Sequence, residues 1–118
     1  MANYVDGFII PVPKNKLVAY RKMALKAGKI WKEYGALEYT ECVADDVKKG
    51  KLTSFPRSVI LKSSEVVCFS WIVYKSRKHR DQVLKKVMKD PRLQKDWETM
   101  PFDGKRMIYG GFKPIVNL

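Results

Sequence analysis

Three polar side chains interrupt strand-forming runs that are otherwise apolar. Strand alternation places Asp6 on the face of Phe8 and Ile10, Glu41 on the face of Leu37 and Tyr39, and Ser70 on the face of Cys68 and Ile72. A carboxylate on such a face loses its hydration on folding and must be paired or hydrogen-bonded. Arg57, Arg80 and Arg106 are the available cationic partners. Two readings follow. In one, these residues join Tyr39, Trp71 and Tyr109 in lining a pocket for an anionic or carbonyl-bearing small molecule, roofed by Phe55-Pro56-Arg57. In the other, they form an ion-pair network that fixes a dimer.

Other chemistry is sparse. His79 is the only histidine, which excludes a histidine-rich metal site and leaves it a structural or a proton-transfer role. Cys42 and Cys68 lack C-x-x-C spacing and are expected as two small buried thiols. Gly110-Gly111 has neither the spacing nor the strand-to-helix setting of a dinucleotide loop, and no phosphate loop is present. Neither a cofactor nor a metal is implied, and no residue can be assigned a catalytic role.

The elements that must position these residues can be read from periodicity. Tyr4 to Val12 is expected as a first strand ended by Pro13. Asn15 is the expected cap of a helix running to Tyr34, with Gly35 just past its end. Tyr20, Met23, Ala24, Ala27, Ile30, Trp31 and Tyr34 share one face of that helix, opposite a ridge of lysine and arginine. A strand from Leu37 to Ala44 follows, then a connection from Asp45 to Ser64 long enough to serve as a lid. The run Glu65-Val66-Val67-Cys68-Phe69-Ser70-Trp71-Ile72-Val73-Tyr74 is a strand with apolar residues on both faces. Ser76 caps a second helix that reaches Lys89 and stops at Asp90-Pro91, with Arg80 inside its apolar face. Leu93, Trp97 and Met100 suggest a short packing helix, and Asp103-Gly104 turns the chain into a last strand from Lys105 to Val116.

The resulting order, βαββαβ, is the ferredoxin-like α+β pattern in a single domain of 118 residues, with an antiparallel sheet. Both helices cover one sheet face. The central strands nevertheless offer apolar residues to the other face, so a second copy packed sheet to sheet is the expected cover. Alternation shows which residues share a face and leaves open which face meets the helices.

The formal charge of +12 lies entirely in residues 14–34 and 75–96, each at +6. Lys22, Lys26, Lys29, Lys78, Lys85 and Lys89 are therefore candidates for contact with RNA or another polyanion, as an alternative to a small-molecule ligand. The start of the chain lacks a basic region followed by an apolar run, and no stretch approaches transmembrane length, so a cytoplasmic protein without a membrane partner is expected.

Five segments together carry a resemblance that spans nearly the whole chain: Tyr4-Val5-Asp6-Gly7-Phe8, Thr53-Ser54-Phe55-Pro56-Arg57, Phe69 to Arg77, Val87 to Arg92, and Met100 to Phe112. In these the sequence resembles the bacterial family called domain of unknown function 1428. The resemblance implies a homodimeric α+β barrel, from a superfamily that includes cofactor-free oxygenases, haem-degrading enzymes and ring-processing enzymes. It supplies no catalytic residues.

Overall fold

A computed structural model describes residues 3–118; Met1 and Ala2, on which part of the expectation about the chain's start falls, lie outside the described residues. The chain runs β1 (Tyr4–Pro13), a 3-10 turn (Lys14–Lys16), α1 (Leu17–Glu33), β2 (Glu38–Val43), α2 (Phe55–Ser58), β3 (Glu65–Tyr74), α3 (Arg77–Val87), α4 (Pro91–Glu98) and β4 (Ile108–Phe112). The four strands form one antiparallel sheet in the order β2-β3-β1-β4, the ferredoxin-like arrangement expected from the sequence. Two prolines, Pro11 and Pro13, stand in the central strand β1, where a missing amide donor is normally costly. They are tolerated because β4 pairs only with Val5 to Ile9, so β1 beyond Ile9 has a neighbour on one side only.

Register fixes the two faces. Tyr4, Asp6, Phe8, Ile10 and Val12 of β1 stand opposite Tyr74, Ile72, Ser70, Cys68 and Val66 of β3, and Tyr39, Glu41 and Val43 of β2 continue the same rows. This is the face that α1 covers, with Tyr20, Ala24, Ala27 and Ile30 buried against it. The other face carries Val5, Ile9, Val67, Phe69, Trp71, Val73, Ile108 and Phe112. It is as apolar as the sequence requires and only partly covered: Phe69 and Phe112 keep 42% and 63% of their surface exposed.

Several boundaries differ from expectation for local reasons. Asn15 does not cap α1. Its neighbour Lys14 donates its amide to the Ser64 carbonyl at 2.9 Å, the chain turns at once, and the helix starts at Leu17 without a side-chain cap. The 45–64 connection holds a turn of helix, α2, capped by Ser54 and folded onto the bare sheet face, where Phe55 meets Phe69 at 6.0 Å and Val59 is buried. The last strand is shorter than 105–116 because Asp103 holds Lys105 and Arg106 in a turn, and Pro114 has no amide to continue the ladder. Cys68 is buried as expected, but Cys42, on the edge strand, is exposed.

Candidate ligand-binding site

Between α1 and the sheet lies a cavity of about 150 Å³. Its floor is β-sheet: Phe8 and Ile10 from β1, Tyr39 and Glu41 from β2, Ser70 and Ile72 from β3. Its roof is α1, through Tyr20, Met23, Ala27 and Trp31, and its far wall is α4 with the loop behind it, through Asp96, Trp97, Met100, Phe102 and Met107. A groove of about 360 Å³ between α1 and the edge strand β2 shares Tyr20, Tyr39 and Glu41 with this cavity, so these three form the partition between the interior and the surface.

Glu41 is the polar centre. It alternates inward with Tyr39 and stands beside Ser70 in the strand register. The Tyr20 hydroxyl donates to its Oε1 at 2.7 Å. Burial raises the Glu41 pKa above the ordinary carboxylate range, and the Tyr20 and Tyr39 hydroxyls only partly offset that. Burial, reinforced by Glu41, likewise pushes both tyrosine hydroxyls well above their ordinary value, so they remain proton donors. A carboxyl group in apolar surroundings, flanked by fixed hydroxyls, can accept a proton from a bound molecule or return one. Gly28 makes the arrangement possible. A Cβ there would stand 2.6 Å from the Tyr39 ring, so a glycine on α1 lets the ring pack directly against the helix.

The α4 wall is held by charge. Asp90 caps α4, accepting the Arg92 amide at 2.8 Å and the Tyr34 hydroxyl at 2.7 Å, while Arg92 Nη2 bridges Asp90 and Glu33, each at 2.7 Å. Arg92, with Tyr34 assisting, lowers the Asp90 carboxyl far below its ordinary range. Lys26 reaches Asp96 at 3.1 Å from the outer side of α1. These contacts tie α4 to the middle and the C-terminal end of the α1 roof.

The structure gathers three of the sequence-derived candidates at the cavity, Tyr39, Glu41 and Ser70, and separates the others. Asp6 is on the same face but pairs with Arg80 at 2.7 Å, and Arg80 also lies 5.0 Å over the Tyr4 ring. Thus Arg80, inside the apolar face of α3, is held there by a buried carboxylate. Trp71 cannot join Ser70, because adjacent strand residues point to opposite faces, and it lies on the bare one. Arg106 grips Glu65 at 2.8 Å, Asp103 at 2.9 Å and the Ile60 carbonyl at 3.0 Å, at the opposite end of β1 from Asp6. Arg57 donates to the Lys49 and Gly50 carbonyls, closing its own loop on the bare face, so Phe55-Pro56-Arg57 does not roof this cavity. Tyr109 is on the helix side but stacks on Phe8 near the β4 edge, largely exposed. His79 accepts the Lys75 amide on Nδ1 at 3.0 Å and packs edge-on to Tyr74, a structural placement. Lys22, Lys26, Lys29, Lys78, Lys85 and Lys89 are all exposed.

By sequence alone, Tyr20 and Trp31 belong only to an apolar helix face. Their polar tips carried the missing signal, since a buried tyrosine hydroxyl or indole N–H needs a partner. Tyr20 finds Glu41, and Trp31 Nε1 donates to the Tyr74 hydroxyl at 3.0 Å. Among the described residues, no group of three or more His, Cys, Asp or Glu side chains is placed to hold a metal ion, and no helix is long and apolar enough to cross a membrane.

The sequence pattern of the family described as "Protein of unknown function (DUF1428)" matches residues 3–104. The chain belongs to the DUF1428 family. It is also 53% identical over 114 residues to the uncharacterized protein YbaA of Escherichia coli K12, covering 97% of each chain. Among solved structures, this DUF1428 chain is similar to a dimeric ferredoxin-like protein from an uncultured marine organism, with TM-score 0.59, 10% identity, and 100% and 98% of the two chains covered. A NIPSNAP domain protein from Burkholderia xenovorans matches with TM-score 0.59 at 16% identity, over 97% and 94%. SnoaB, a cofactor-independent oxygenase from Streptomyces nogalater, matches with TM-score 0.55 at 11% identity, over 99% and 95%. At such identities the likeness establishes the ferredoxin-like fold of the DUF1428 chain.

Proposed function

We propose that this protein is a homodimer that binds, and can transform by proton transfer, a small and largely apolar molecule in a separate site in each protomer between α1 and the sheet. One observation carries the reading: Glu41 is held in an apolar cavity by Tyr20, with Tyr39 alongside, and faces space rather than a cation. A carboxyl group placed only for stability would be paired, as Asp6 and Glu65 are with their arginines. Support for the dimer comes from the bare face. Phe69, Trp71, Ile108 and Phe112 form an apolar surface that water would not leave uncovered, and one structural neighbour is described as a dimeric ferredoxin-like protein.

Amide NMR with a library of small ring-containing fragments tests the site. Shifts are expected at Tyr20, Tyr39, Glu41 and Ser70, and they should vanish when the cavity is filled by Ala27→Met. Shifts concentrated at Trp71, Arg57 and Arg106 would overturn the assignment. Polyanion binding by the exposed lysines of α1 and α3 is the alternative. Its drawback is that Tyr20 and Trp31 point inward, leaving the basic ridge of α1 without a stacking surface for bases.

A further inference from the structure

We propose that the cavity between α1 and the sheet selects a small organic cation, a protonated amine carried on a single ring, over an anion of the same shape. This rests on the small-molecule reading above and adds the ligand's charge and size.

The charge inventory is the starting point. In a chain of formal charge +12, the cavity lining contains two carboxylates, Glu41 and Asp96, and neither lysine nor arginine. The arginines that would hold an anion are spent elsewhere, Arg80 on Asp6 and Arg106 on Glu65. Asp96 Oδ2 has Lys26 Nζ at 3.1 Å on its outer side, but the lysine side chain is half exposed and solvent weakens the pair, so Glu41 is the carboxylate of the lining that no cation meets. The same Asp96 oxygen is shielded from solvent and receives no aligned hydrogen bond beyond this ion pair. Glu41 receives hydroxyl donors only.

The apolar part of the lining points the same way. Trp31 and Tyr39 pack with ring centroids 5.9 Å apart, and Trp97 faces them from α4. Aromatic faces carry negative potential and attract ammonium groups, whereas they repel carboxylates. About 150 Å³ is the size of an engineered protein cavity known to admit benzene, so one ring fits and a fused polycycle does not. A ring with a short ammonium arm would bury its apolar part among the aromatics and place its N–H donors at Glu41.

The test titrates the purified protein with benzylamine, benzyl alcohol and benzoate in mildly alkaline buffer, following tryptophan fluorescence and calorimetry. Benzylamine should bind about tenfold more tightly than benzyl alcohol, and benzoate most weakly. Glu41→Gln, which keeps the shape, should reduce benzylamine to the level of benzyl alcohol while leaving the alcohol within about twofold. Equal binding of amine and alcohol by the unaltered protein, or benzoate binding as tightly as the amine, would overturn the charge assignment and leave the cavity reading standing. Failure of all three probes would overturn both.

Discussion

At the scale of single residues, two acids of the helix-covered face, buried Asp6 and half-buried Glu41, show how partners decide a role. Burial raises the pKa of each, but Asp6 is ion-paired with Arg80, whereas Glu41 has hydroxyls alone. Glu41 is therefore a group that the fold carries at a cost. Its pKa is higher folded than unfolded, so ionisation penalises the folded state as pH rises above the unfolded value of about 4.3. Below that value both states are protonated and the penalty is absent. Glu41→Gln should consequently raise thermal stability near neutral pH by on the order of 1 kcal/mol, as functional-site replacements often do, and the gain should disappear below about pH 4. Thermal unfolding followed across pH checks this; a variant less stable than the parent at neutral pH would mean that Glu41 is a structural acid.

At the scale of elements, α4 is the wall whose attachment is most exposed to pH. Asp90 has the opposite linkage from Glu41: its pKa is depressed by Arg92 and Tyr34. Its contribution is complete above the unfolded carboxylate value of about 3.9 and is lost as pH falls toward the folded one. Asp90→Asn keeps a capping side chain but loses the charge, so the variant should be less stable at neutral pH and should lose less on acidification than the parent. Parallel stability curves for the two would contradict the role assigned to this cluster. Much of the element plan was legible in the sequence. The inward stripe of α1 and the two-sided apolar run of β3 follow directly from period and residue type, and so does the sharing of one face by Tyr39 and Glu41. What alternation could not supply was which face that was, nor partners far apart in sequence, as with Tyr20 and Glu41 or Glu65 and Arg106. Asp96 and Trp97 escaped notice as site residues because only the folded position of α4 brings them to the cavity.

At the scale of the whole molecule, the sheet divides the work between its faces. The helix-covered face encloses the cavity, and the bare face, with Trp71 and Phe112, is the apolar surface on which the proposed second copy would pack. The long connection covers part of that surface through Phe55 and Val59 and leaves the remainder apolar. If ligand sites lie on the helix side, a dimer holds two of them; a site enclosed between the two sheets would be one per dimer. Native mass spectrometry of the protein titrated with a ring-sized amine counts both quantities at once. A dimer carrying up to two ligands is expected, dissociating to monomer on Trp71→Glu. A monomeric parent protein, or a dimer that saturates with a single ligand, would contradict it.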